Sequence, residues 1–172
     1  MARADEDGVQ AFISQWRHQR PDLDFHALEV TARINRLNGL LQHAWSASVA
    51  DLDLGSGALQ VLLALRRIGA PFEATPTDLC RDAFLSSGGM TQLLDRLEAR
   101  GLVERTRHPT DRRGLLVRLT PDGRALADEA LARRLASAQS AVAGLRSEEH
   151  TALVALLQTL LSSFGTQVQQ TP

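Results

Sequence analysis

Ser87, Thr91, Gln92 and Arg96 fall at successive helical positions in the segment SGGMTQLLDRLEAR. Their side chains can pair with base edges and phosphates: glutamine can bond an adenine edge and arginine a guanine edge or a phosphate. A basic run follows. Between residues 100 and 118 lie six arginines (100, 105, 107, 112, 113, 118) against Glu104 and Asp111, a local balance of 6 − 2 = +4. Arg107 and the Asp111-Arg112-Arg113 triplet flank a turn containing Pro109 and Gly114. An arginine at such a tip suits the enhanced negative potential of a narrow minor groove, and Asp111 is placed to steady Arg113. All 19 basic residues are arginine, whose planar guanidinium matches phosphates and guanine edges.

These groups need a scaffold, and the sequence punctuates one clearly. Thr75 can cap a helix that starts with Pro76 and carries Asp78 three residues after the cap. That helix is predicted to end near Phe84. The next is predicted over 87–100, with Gly101 as its stop and Met90, Leu93, Leu94 and Leu97 as its buried stripe. Thr91, Gln92, Asp95 and Arg96 then face away from that stripe. Residues 102–106 and 115–119 read as two short strands joined by the arginine-rich turn. A helix pair followed by a basic hairpin fits duplex DNA.

Around this unit the apolar spacing predicts helices over 9–17, 25–50 and 57–68, the last stopped by Gly69. Thr120 and Pro121 open a long alanine-rich helix to about Leu145. Ser147 is expected to cap a final helix, with Glu148 and Glu149 in its first turn and a stripe of Leu153, Leu156, Leu157, Leu160, Leu161 and Phe164. The fold class expected is therefore mainly α with a small β-hairpin. Residues 55–120 form the reading unit, and 1–54 with 121–172 form a helical dimerisation region. The outer stripes are too apolar to leave wet, so a homodimer about a two-fold axis is expected.

The remaining composition narrows the function classes. Across 172 residues a hydrophobic share of 44% supports a core, and no apolar run reaches the ~20 residues of a membrane span. Acidic residues stand where a secretory leader would be apolar, and Cys80 is the sole cysteine, so a cytoplasmic protein without disulfides is expected. The five histidines lack metal-ligand spacing, no nucleophile–base grouping occurs, and Gly55-Ser56-Gly57 follows no strand. Neither an enzyme nor a bound metal or cofactor is expected. Cys80 leaves open a thiol redox sensor, though a buried cysteine commonly serves as a small apolar group. A protein-interaction module that has lost DNA binding is the other alternative.

Segment 54–126 resembles the winged helix-turn-helix domain of the multiple-antibiotic-resistance regulator (MarR) family. The similarity is carried by GALQVLLAL (57–65), LSSGGMTQLLDRLEARGLVER (85–105) and DRRGLLVRLTPDGRAL (111–126), and the flanking helices agree. It implies a homodimeric, ligand-responsive transcriptional regulator, usually a repressor, on a pseudo-palindromic operator. The 87–100 helix would read the major groove and Arg113 would enter the minor groove. Trp16 on a short extra helix, followed by Arg20-Pro21-Asp22, resembles the urate-responsive branch. Trp16 and Arg105 match two of that branch's ligand positions, but Gln60 and Leu93 replace its Asp and second Arg. An anionic purine would lack a charge partner. A different small aromatic or phenolic ligand is implied, near Trp16, Gln60 and Arg105, with His43 a further candidate for the cleft.

Overall fold

The computed structural model describes residues 8–82, 87–107 and 114–168. Their element order is α1 (Val9–Gln19), α2 (His26–Ser48), a 3-10 turn (Ala50–Leu52), α3 (Ser56–Ile68), β1 (Glu73–Ala74), α4 (Pro76–Asp82), α5 (Ser87–Ala99), β2 (Val103–Arg107), β3 (Leu115–Leu119), α6 (Pro121–Val142) and α7 (Ser147–Val168). The chain is mainly helical with one small antiparallel sheet, ordered β1-β3-β2. The expected end of α4 near Phe84 lies outside the described residues.

Local chemistry explains the boundaries. The Thr75 hydroxyl accepts from the Asp78 N–H at 3.1 Å and donates to the Asp78 carboxylate at 2.7 Å, closing the first turn of α4. Thr120 repeats the first half of this at α6, accepting from the Gly123 N–H at 3.0 Å. Gly69 and Gly101 take positive φ, 85° and 67°, where α3 and α5 stop. The end of α5 is a complete Schellman motif: Gly101 donates to Glu98 at 2.8 Å and Leu102 to Leu97 at 2.9 Å.

Two expectations need correction. The sheet has a third strand: Glu73 pairs with Arg118 and Ala74 with Val117, while β2 pairs with β3 from Val103–Leu119 to Arg107–Leu115. The cap of α7 falls on Arg146 rather than Ser147. Arg146's carbonyl accepts from the His150 N–H at 2.9 Å, and Glu149 reaches back to accept the Arg146 N–H at 2.9 Å.

The core joins α2's foot, α3, α4, α5, the sheet and the start of α6. Leu59, Val61, Leu62, Leu65, Leu79, Leu97 and Val117 lie fully inside it. Arg134 stacks 5.0 Å from the ring of buried Trp45. A small separate cluster of Val9, Ile13 and Phe25 seats α1 on α2. The outer helices are different. Among the described residues no other element packs substantially on α7, and its Leu156, Leu161 and Phe164 are 68%, 71% and 55% exposed.

The caps carry a pH signature. Donation from Thr75 holds the Asp78 carboxyl below its ordinary 3.8, with Arg81 adding to the effect and desolvation opposing it. A carboxyl lowered in the folded state stabilises above its unfolded pKa, and that contribution is lost as pH falls through the folded value. The melting temperature should stay level from about pH 8 to about pH 5 and fall below about pH 4. Asp78→Asn should melt below wild type at neutral pH, and the gap should shrink in acid. Equal neutral melting temperatures would refute the cap's contribution.

Candidate nucleic-acid interface

α5 is laid on α3, α4 and β2 by its stripe. Met90, Leu94 and Leu97 are buried and Leu93 is half-buried. This fixes which face looks outward. Thr91, Gln92, Asp95 and Arg96 are all exposed, as the 3.6-residue period requires. A Cβ built at Gly89 would meet nothing within 4 Å, so the beginning of α5 is open to close approach. Ser87 opens α5, and its side chain is outside what is described. Arg107 ends β2 at the mouth of the hairpin and is exposed. Asp111, Arg112 and Arg113 lie outside the described residues.

Three of the six arginines of 100–118 have partners within the lobe among the described residues. Arg105 reaches Asp95 at 2.6 Å and Glu98 at 3.3 Å, both on α5. Arg118 reaches Glu73 at 2.5 Å and Glu104 at 3.8 Å, and Glu73 holds its guanidinium more firmly protonated than usual. Arg100 donates to two backbone carbonyls. Half of the six arginines therefore hold the lobe together. Arg107 is exposed at the end of β2, and Arg112 and Arg113 lie outside the described residues. Sequence counting missed the pairings because Glu73, Asp95 and Glu98 come from outside the run.

The four ligand candidates sit on four different elements. Trp16 is 45% exposed on α1, so it does not anchor that helix; Val9 and Ile13 do. His43 is exposed on α2 and Gln60 half-buried on α3. Arg105 is committed to its two carboxylates. The described concavities lie elsewhere. One is bounded by α1 residues Ser14 and His18, one by small residues of α2 and α6 such as Ala47 and Ser137, and one by the first turns of α7. Cys80 is half-buried against the core beside Leu79. Among the described residues no group of three or more His, Cys, Asp or Glu could hold a metal ion, and no helix is long and apolar enough to cross a membrane.

Known proteins share this arrangement. Residues 46–114 match the sequence profile of the MarR family. The HTH-type transcriptional regulator PecS of Dickeya dadantii is 30% identical over 149 residues, which span 87% of this chain and 90% of PecS. The multiple antibiotic resistance protein MarR of Salmonella typhimurium is 37% identical over 81 residues, 47% of this chain and 54% of that protein. Among solved structures, Bordetella bronchiseptica BpsR, whose DNA binding is regulated by 6-hydroxynicotinic acid, superposes with a TM-score of 0.67. It is 30% identical, and the match covers 76% of this chain and 91% of BpsR. A mutant MarR from E. coli complexed with operator DNA gives a TM-score of 0.69 at 27% identity, covering 80% of this chain and 96% of MarR. With residues 46–114 matched by the family profile and PecS matched nearly end to end, the chain belongs to the MarR family of winged-helix, DNA-binding transcriptional regulators.

Proposed function

We propose that the chain acts as an obligate homodimer that represses transcription from a pseudo-palindromic operator and is released by a small aromatic or phenolic ligand. Residues 1–54 and 121–172 form the dimerisation region, and 55–120 form the reading unit. The observation that carries this reading is α7: its apolar stripe is exposed at all described positions but Leu160, and no other element packs substantially on it among the described residues. A second copy offers the same surface, which is what a two-fold interface needs.

In the dimer, Ser87, Thr91, Gln92 and Arg96 of each α5 enter successive major grooves about 34 Å apart. Arg107, Asp111, Arg112 and Arg113 follow the flanking backbone and minor groove. Trp16, His43, Gln60 and Arg105 are our candidates for the ligand cleft, which a second copy would have to complete. BpsR's response to 6-hydroxynicotinic acid supports an aromatic acid as the ligand class. Release requires the ligand to favour a dimer geometry in which the reading helices no longer match the DNA turn. Such a regulator works where the chromosome is, so we place it in the cytoplasm.

The test is to enrich duplexes from a random pool and titrate the best by fluorescence anisotropy. With about six phosphates neutralised per dimer, affinity should fall about 10³-fold between about 50 and about 200 mM salt. A panel of aromatic acids and phenols should contain members that release the duplex. If no duplex is enriched, or affinity ignores salt, DNA binding is refuted. If nothing in the panel releases it, the ligand class is wrong.

A further inference from the structure

We propose that Arg100 is a positioning residue for DNA reading: it fastens the C-terminal end of α5 to the foot of α2, so that the placement of the reading helix follows the dimer helices. This rests on the dimeric DNA-binding reading above.

The fastening has three parts. The Schellman motif at Glu98–Gly101 and Leu97–Leu102 fixes the backbone that carries Arg100. From there Arg100 Nη1 donates to the carbonyls of Leu52 at 3.1 Å and Asp53 at 2.7 Å. These carbonyls belong to the turn that joins α2 to α3. That turn is itself packed and bonded: Val49 and Leu52 are buried, Leu52 donates to Val49 at 3.1 Å, and Asp53 holds a left-handed φ of 51°. Arg133 of α6 donates to the Ser48 carbonyl at 3.2 Å, and it also pairs with Asp51 and Glu129. Residues 48–53 are thus gripped by the reading helix through Arg100 and by α6 through Arg133.

Solvent-near bonds like these add little stability. Their effect is geometric. Thr91 lies nine residues before Arg100, about 13 Å along the axis. Pivoting α5 by about 5° at its C-terminal end moves Thr91 by about 1 Å, and by about 2 Å between two copies. Hydrogen bonds to base edges do not tolerate that error. A reading helix fastened to α2 rejects half-sites at the wrong separation, and a loosened one follows them.

The experiment compares wild type, Arg100→Gln and Arg100→Lys on the selected duplex and on versions with one base pair added or removed between half-sites. Melting curves and sedimentation check fold and assembly. Wild type should lose about 100-fold in affinity on either altered spacer. Arg100→Gln should bind the natural spacing about 10-fold more weakly and lose less than about 10-fold on the altered ones. Arg100→Lys, which can still donate to the carbonyls, should fall between. If Arg100→Gln fails to fold, Arg100→Lys decides by the same comparison. A variant that keeps the wild-type spacer penalty, however weakly it binds, overturns the proposal. Wild-type protein that binds no DNA or binds as a monomer overturns the underlying reading, and that result is seen without any variant.

Discussion

Leu156→Glu combined with Leu161→Glu should turn the proposed dimer into monomers and weaken operator binding by at least about 100-fold. The two leucines are 68% and 71% exposed in the single chain, so neither substitution disturbs packing within it. Among described side chains of α7, only Leu160 is even half-buried. A 22-residue helix with this composition does not hold itself together in water by propensity alone. Its stripe must be covered, and each leucine covered contributes about 1.5–3 kcal/mol. Four such leucines per dimer are replaced by carboxylates that resist burial, a loss on the order of 6–12 kcal/mol before repulsion is added. Each freed lobe would contact one half-site without the gain of a tethered second contact. Sedimentation and anisotropy read the two effects separately. A variant that stays dimeric with unchanged affinity would remove α7 from the interface, and a folded wild-type monomer at micromolar concentration would remove the interface itself.

The parts of this fold that were legible in the sequence are those set by near neighbours. Thr75, Pro76 and Asp78 close a turn within four residues, and Thr120 with Pro121 does the same, so both helix starts could be read directly. Gly69 and Gly101 mark stops because the left-handed region favours glycine. The period of Met90, Leu94 and Leu97 fixed the outward face of α5. The parts that were not legible depend on distant partners. β1 is two residues long and exists because Glu73 and Ala74 meet β3 more than 40 residues later, far too short a run to show alternation. The pairing of Arg105 and Arg118 was not legible for the same reason, since carboxylates that hold them sit on α5 and β1. Arg100 was counted with the basic run, and only the fold brings the carbonyls of Leu52 and Asp53 to it. The cap of α7 moved by one residue because Glu149 reaches back to Arg146, a choice that Ser147 made less visible.

Gly123→Ala should lower the melting temperature by about 4–8 °C, although it places a better helix former inside the first turn of α6. Propensity alone favours alanine over glycine by about 1 kcal/mol. The surroundings outweigh that. A Cβ at this position would lie 1.9 Å from the Leu102 carbonyl oxygen, 2.9 Å from its carbon and 3.1 Å from a Leu119 methyl. Backbone atoms cannot swing aside as a side chain would. They are also fixed by Thr120, whose N–H donates to Leu102 at 3.2 Å and whose hydroxyl donates to Gly101 at 2.7 Å. Accommodating the methyl means lifting α6 off the start of β2, an overpacking strain of about 3 kcal/mol against the 1 kcal/mol gained. The net loss of about 2 kcal/mol corresponds to the stated shift for a chain of this size. Gly144→Ala is the matched control, because a Cβ there meets nothing within 4 Å, and it should melt within about 1–2 °C of wild type. Operator binding should weaken with Gly123→Ala as well, since the same junction carries Gly101 and the end of the reading helix. If Gly123→Ala melts at or above wild type, α6 and β2 are not in the close contact on which the joint between reading unit and dimer helices depends.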